Sequence, residues 1–349
     1  MLDASVFPHS LIAMKVEVLS THTASLFATA VARAAELLRA GNVVALPTET
    51  VYGLAANALD ARAVAKIYEI KGRPAHNPII VHVADLAMAK QCVSHWPPSA
   101  SQLAKSFWPG PLTMVLPRAP VIPDMVTAGG ATVGVRWPSH PFIQAVIRAC
   151  GFPLAAPSAN LSNSISPTNA EHVRNQLGDQ LGLIVDGGQS QVGIESTVVD
   201  LAAQPPRVLR PGMIHEESLM AVVGNLQHLT LNTQPPTLRS PGLLKKHYAP
   251  KAKLLIRLWH DAANLKFQLA TCNFQPATTH IIAHTQIPSG EGFGGVSVIP
   301  HDVEAFARAI YAELHRCDAA GATLIVVEAL PPGVEWRAIA DRLTRAAAD

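Results

Sequence analysis

The segment Asn42-Val43-Val44-Ala45-Leu46-Pro47-Thr48-Glu49-Thr50-Val51-Tyr52-Gly53-Leu54 decides how this chain is read. Its first five residues form an apolar run of the kind that makes a buried strand. Two hydroxyls and a carboxylate, Thr48, Glu49 and Thr50, follow directly. Polar groups at a strand end stand where α/β folds bind their ligands. The next stretch, Asp60 to Lys71, reads as a helix. Asp60 is the N-cap, Val64, Ile67 and Tyr68 form the buried stripe, and Gly72 with Pro74 stops it. Ile79-Ile80-Val81-His82-Val83 is then a second buried strand, so the chain alternates strand and helix as an α/β protein does.

The alternation continues outward. Thr132-Val133-Gly134-Val135-Arg136 has a period of two, which puts Thr132, Gly134 and Arg136 on one face. Thr168 and Glu171 fit a capping box opening a helix. Strands are expected at Leu183 to Asp186, Ser196 to Leu201 and Val208 to Arg210. From Asn232 to Pro250 the chain is rich in Pro and Gly and reads as a linker, longer than a tether requires. From Lys251 the alternation resumes: strands at Leu254 to Ile256, His280 to Ala283 and Thr323 to Glu328, helices at Asp302 to Arg316 and Glu335 to Ala346. This second unit reads as a small, mostly parallel α/β domain.

Composition bounds the function. The chain has 349 residues, 49% apolar and 15% charged, with a net charge of +2. That length suits two domains. A charge so close to neutral neither demands nor excludes a nucleic-acid partner, but argues against one held through clustered excess Lys and Arg. Cys92, Cys150, Cys272 and Cys317 are scattered singly, without metal-ligand spacing, and read as reduced thiols of a cytoplasmic protein. No metal site is expected. No apolar run is long enough to span a membrane. Residues 1–13 lack the basic region of a signal peptide and read as an extension ahead of Met14.

Several polar residues carry both a structural and a functional reading. Lys71 and Arg73 lie at a helix C-terminus, where the dipole favours cations, and where Arg73 also offers a planar fork to phosphate oxygens. His82, inside an apolar strand, reads as a satisfied core histidine. Arg136, at a strand end, suits a carboxylate, a phosphate or a structural ion pair. Ser158 and Asn160 are two residues apart and share one face of an extended backbone. Ser166 leads into the helix after Thr168, whose free N–H groups would suit an anion. Gly290 to Gly295 matches G-x-G-x-x-G but precedes a strand, the wrong context for a dinucleotide loop. No G-x-x-x-x-G-K-[ST] is present.

Taken in order, these motifs resemble the YrdC-like family of threonylcarbamoyl-AMP synthases. The matching stretches are Pro47 to Leu54, Lys71-Gly72-Arg73-Pro74, Asn77-Pro78, Trp108 to Thr113, Thr132 to Arg136, Ala156 to Asn160, Ser166-Pro167-Thr168, Gly193 to Val198 and Leu209 to Gly212. Ser240-Pro241-Gly242, His247-Tyr248-Ala249-Pro250 and Asp341-Arg342-Leu343 resemble the longer, two-domain form. Leu243-Leu244-Lys245-Lys246 departs from the usual linker start.

The resemblance implies a twisted YrdC-like α/β sheet domain with an open cleft, plus a smaller Rossmann-like α/β domain. On that reading residues 1–27 are extension and first strand, 28–225 the catalytic domain, 226–250 a linker or lid, and 251–349 the second domain. It implies synthesis of L-threonylcarbamoyl-AMP from L-threonine, bicarbonate and ATP, with Mg2+ accompanying ATP and no organic cofactor. The product would pass to a threonylcarbamoyl-transferase that modifies tRNA, with weak tRNA binding at most. The resemblance assigns threonine to Thr50, His82, Arg136, Ala156 and Ser196. It assigns ATP to Arg73, Asn77, Thr132, Ser158, Asn160, Ser166 and Arg210, charge stabilisation to Lys71 and Arg73, and the lid to Ser240, His247 and Tyr248. The competing readings are a non-catalytic double-stranded RNA-binding module and a carbamoyl-phosphate-using relative.

Overall fold

The computed structural model describes residues 16–228, 242, 246–270 and 275–348. The expected extension at 1–13, Cys272 and the lid residue Ser240 fall outside these.

Two sheets organise the chain. The first contains β1 (Glu17–Ser20), β2 (Val44–Leu46), β3 (Gly53–Asn57), β4 (Val81–His82), β5 (Leu112–Pro117), β6 (Thr132–Arg136), β7 (Leu154–Ala155), β8 (Leu183–Asp186), β9 (Thr197–Asp200), β10 (Arg207–Arg210) and β11 (Gln227–His228). Their order is β1-β8-β2-β3-β7-β4-β6-β5-β9-β10-β11, with parallel and antiparallel pairs mixed. The second sheet contains β12 (Lys253–Arg257), β13 (Thr279–Ala283), β14 (Gly295–Val298) and β15 (Leu324–Glu328), in order β12-β15-β13-β14 and parallel throughout.

Helices cover the first sheet: α1 (Ala24–Arg39), α2 (Ala61–Lys71), α3 (Leu86–Gln91), α4 (Pro98–Phe107), α5 (Asp124–Thr127), α6 (Pro141–Cys150), α7 (Ala170–Leu177) and α8 (Glu216–Val223). The second sheet carries α9 (Ala262–Leu269), α10 (Val303–Ala319) and α11 (Arg337–Ala346). None of the described helices is long and apolar enough to cross a membrane. Cys92 and Cys317 are buried free thiols, and Cys150 is a half-buried one.

Local chemistry explains most boundaries. The Asp60 carboxylate accepts from Arg62 N to open α2, and Gly72 closes it with φ of 57°, a conformation glycine adopts without strain. Asp302 caps α10 in the same way. Three expectations need correction. The strand expected over residues 79–83 is ladder-paired only at Val81 and His82. The capping box at Thr168 and Glu171 does not form: Asn169 is the N-cap and accepts from His172 N, while Glu171 faces Arg174. That cap takes up the His172 N–H at the helix start. The last helix starts at Arg337, after a 3-10 turn over Val334–Trp336.

One apolar cluster ties the two sheets together. Val51, Ile165 and Ile194 of the first unit pack with Tyr248, Phe306, Ala307, Ile310 and Tyr311. Burying an aliphatic side chain of this size contributes about 1.5–3 kcal/mol. The approach is close at Gly193, which has φ of +82°, and a Cβ there would overlap Ala307 O and Arg308 Cα on α10. Gly193→Ala is therefore expected to lower unfolding stability by roughly 1–3 kcal/mol, by overpacking against backbone. Thermal melts of the variant check this, and an unchanged midpoint would mean that the two units separate without cost.

Candidate active site

The turn between β2 and β3 is shaped by its own threonine. Thr48 Oγ1 accepts from Thr50 N at 3.2 Å and Val51 N at 3.3 Å, and lies 2.5 Å from Val51 O. A hydroxyl that mimics a backbone turn in this way fixes the residues beside it. Thr50 Oγ1 is thereby presented to Arg136 Nη1 at 2.9 Å. Glu49 Oε1 accepts from Ser139 N at 3.0 Å and lies 2.7 Å from Arg136 Nη2, off the axis of a hydrogen bond.

The strand register gathers the other groups. His82 and Arg136 end parallel neighbours β4 and β6 and face each other across the ladder. β7 runs antiparallel to β4 on the other side, with Ala155 opposite Val81 and Ala156 N donating to Ile80 O, so Ala156 to Ser158 leave β7 beside Ile80, which also borders the site. Leu112 of β5 pairs Thr197, which brings Ser196 alongside. Arg210, ending β10, donates from Nε to Ser196 O at 3.0 Å and from Nη2 to Ser196 Oγ at 3.1 Å.

These groups line one open pocket, whose empty space together with the adjoining solvent is about 490 Å³. Thr50, Arg73, His82, Arg136, Ala156, Ser158, Ser196 and Arg210 all border it, and Gly242, His247 and Tyr248 cover it. Tyr248 holds φ of 63° and stacks on Tyr311, with its ring 5.6 Å from the Arg342 guanidinium. His247 stands edge-on to Tyr248.

Electrostatics sort the lining. Arg73 is buried, with Nε on Asn77 O and Nη2 on Asn77 Oδ1 and Pro78 O. Desolvation lowers its pKa to about 10, which leaves it charged at neutral pH. Burial pushes Glu49 up, but Arg136 and the Ser139 N–H outweigh it and hold the carboxyl below its ordinary value. Burial lowers His82 and His247 to about 3, so both imidazoles are neutral at physiological pH.

Some expected site residues stand behind the wall rather than on it. Lys71 Nζ donates to Ser158 O and Asn160 O at 2.5 Å and to Asn160 Oδ1 at 3.3 Å. Burial lowers its pKa, yet three acceptors call for three N–H groups, so it acts as an ammonium. It braces the Ser158–Asn160 segment and does not reach the cavity. The Asn160 amide is taken up by Lys71, Leu161 O and Ser164 O. Asn77 serves Arg73. Ser166 donates to Glu195 Oε1 at 2.6 Å. Thr132 begins β6, about 13 Å along the strand from Arg136.

His82 is not a satisfied core residue: it is 3% exposed, borders the cavity, and neither ring nitrogen has a partner among the described residues. Arg136 combines both of its readings, lining the cavity while paired to Glu49. Sequence reasoning missed Glu195, which borders the cavity and receives Ser166, Tyr311 and Arg342. Its partners lie 29, 116 and 147 residues away, so only its place beside Ser196 in a glycine-flanked loop marks it.

Comparison with known proteins identifies the family. A family model described as telomere recombination matches residues 36–212, and one described as the threonylcarbamoyl-AMP synthase C-terminal domain matches 214–348. A Pyrococcus abyssi protein named threonylcarbamoyl-AMP synthase is 38% identical over 90% of this chain and 92% of its own. A Bacillus subtilis protein of the same name is 50% identical over 65% of this chain and 66% of its own. The crystal structure of P. abyssi Sua5 complexed with L-threonine superposes with a TM-score of 0.86 at 35% identity, covering 95% of this chain and 97% of that one. These likenesses displace the non-catalytic RNA-binding reading. The chain belongs to the threonylcarbamoyl-AMP synthase family, in its two-domain form, and is an enzyme of the nucleotidyltransferase type.

Proposed function

We propose that the cavity binds L-threonine, bicarbonate or CO2, and ATP with its Mg2+, and makes L-threonylcarbamoyl-AMP with release of pyrophosphate. One observation carries this reading most directly. Arg73 and Arg210, from separate segments, meet at one cavity with the hydroxyls of Thr50, Ser158 and Ser196 and a neutral His82. That set suits a polyanion beside a small polar amino acid.

Threonine fits the end built by Thr50, His82, Arg136, Ala156 and Ser196. Its amine would capture CO2 as a carbamate, losing a proton. The new carboxylate would attack the α-phosphate of ATP in line, and pyrophosphate would leave. Arg73 and Arg210 stabilise charge on the phosphates, and Ser158 supplies a further hydrogen bond. Lys71 contributes by holding the Ser158–Asn160 segment, and Asn77 by holding Arg73. Ser166 and Asn160 act at one remove in the same way. An ATP lying along β4 and β6 would reach Thr132 with its nucleoside end. The catalysis is positioning and electrostatics, with no covalent nucleophile.

Glu49 and Glu195, the carboxylates nearest the cavity, are each engaged by an arginine. Among the described residues no cluster is fit to hold a metal ion, so Mg2+ is assigned to ATP as part of the substrate. His247 and Tyr248 roof the cavity and would keep water from a hydrolysable mixed anhydride. Delivery to tRNA through a transferase partner completes the reading, and the protein would work in the cytoplasm.

Pyrophosphate release from ATP tests it. Release that requires both threonine and bicarbonate, with the adenylate seen by mass, is the expected result. Release without threonine, or acceptance of carbamoyl phosphate in place of both, would overturn it. Arg73→Ala is expected to lower turnover by about 2–4 kcal/mol of transition-state stabilisation while the protein remains folded. Full activity would remove Arg73 from the chemistry.

Stability should also depend on pH with a definite sign. His82 and His247 are protonated near 6.5 in the unfolded chain but only near 3 when folded. Protons thus bind the unfolded state first, and stability is lost as pH falls from about 6.5 towards 3. Glu49 and Glu195, held below their ordinary value, add a loss in the same direction below about 4.5. Chemical denaturation at pH 7.5, 6 and 5 measures this. Equal stability at all three would contradict the burial of neutral imidazoles.

A further inference from the structure

We propose that Arg342, in the second domain, is a positioning residue for ATP binding. It takes up the charge of Glu195, so that this carboxylate does not compete with the triphosphate for Arg210. The inference rests on the reading of the cavity as an ATP site.

Glu195 is 7% exposed and borders the cavity. Ser166 Oγ donates to its Oε1 at 2.6 Å. Tyr311 OH at 3.1 Å and Arg342 Nε at 3.0 Å share its Oε2. Arg342 is 1% exposed, so this ion pair is almost fully removed from water. Arg342 Nη2 also reaches Glu195 O at 3.3 Å, and Nη1 reaches Asp341 Oδ2 at 2.9 Å. Arg342 therefore approaches Glu195 from the second domain, with a carboxylate of its own behind it.

Arg210 approaches from the first domain. It sits on the next residue in the chain, bonded to the carbonyl and hydroxyl of Ser196. After desolvation, the charges that act most on the Glu195 carboxyl are Arg342 and then Arg210. The buried carboxylate thus bonds to the Arg342 guanidinium and adjoins the residue that holds the Arg210 guanidinium, and of the two only Arg210 borders the cavity. With Arg342 in place, Glu195 is neutralised from outside the site. Without it, the carboxylate is left buried and unmatched, a costly state that is relieved by turning to the remaining cation. That cation is Arg210. Its field would then be directed at Glu195, and a negative charge would face the incoming phosphates.

A latch that merely holds the domains together behaves differently. Breaking it would lower stability, which neutralising Glu195 would partly restore, but the ATP affinity of the folded protein would not move. The charge argument instead gives a loss of ATP affinity that neutralising Glu195 rescues, because Arg342 is needed only while Glu195 is ionised.

The test uses the full chain as wild type, Arg342→Met, Glu195→Gln and the double variant. ATP binding is measured by calorimetry, alongside steady-state pyrophosphate release and a thermal melt of each protein. Arg342→Met is expected to weaken ATP binding and raise the ATP KM roughly 10- to 100-fold, the size of one charge-assisted contact. Its kcat at saturating ATP should stay within about threefold, and the double variant should return to within about threefold of wild-type affinity. Glu195→Gln alone should bind ATP no more weakly than wild type. A double variant as weak as Arg342→Met, or a Glu195→Gln protein that loses affinity by itself, overturns the proposal. Should Arg342→Met fail to fold, the double variant, which strands no charge, decides: near wild-type affinity supports the proposal and a tenfold loss refutes it. A wild-type protein that binds ATP but releases no pyrophosphate would sink the synthase reading alone. One that binds no ATP would sink both.

Discussion

A guanidinium and a carboxylate buried together, Arg342 and Glu195, are the constraint on which the rest of this structure depends. Neither charge is stable alone in an interior. Together they require the two domains to meet in one orientation. The Tyr311 and Ser166 hydroxyls complete the carboxylate, and the Tyr248 ring lies against the guanidinium. The seat of the linker, one wall of the cavity and the contact between the sheets are thus fixed by one set of polar groups. The surrounding cluster of Val51, Ile165, Ile194 and Phe306 excludes the water that would weaken it.

The cavity follows a second rule of charge. Its acidic neighbours are matched by arginines, Glu49 by Arg136 and Glu195 by Arg342. Its histidines are held neutral by burial. Positive character therefore rests on guanidiniums, which stay protonated even when desolvated. A site that handles phosphates keeps its charge over a wide pH range by this choice of residue. The supporting groups behind the wall, Lys71 on the Ser158–Asn160 segment and Asn77 on Arg73, hold the lining at hydrogen-bond distances.

Much of this was legible in the sequence where the signal is local. Helix α2 could be read complete, from Asp60 to Gly72, because caps and periodicity act within a few residues. The resemblance brought together Thr50, Arg73, His82, Arg136, Ala156, Ser158, Ser196 and Arg210, all of which border one cavity. What could not be read depends on long-range geometry. Whether a cation such as Lys71 faces a ligand or the back of a loop is decided by which carbonyls approach it. His82 sits in an apolar strand as a core residue would, and only the register of β4 with β6 turns it to the cavity. Thr168 and Glu171 have capping-box spacing, but Asn169 is equally able to cap and takes the position. The importance of Glu195 arises from Tyr311 and Arg342, which no local pattern links to it.

The contact at Gly193 has a consequence for how such a protein could change over generations. With no room for even a methyl group between that loop and the backbone of α10, the halves are not interchangeable parts. A gene that lost the second half would inherit a first half with an orphaned acid and a bare greasy patch. In this chain each half thus constrains the other, preserving the surface that its neighbour requires.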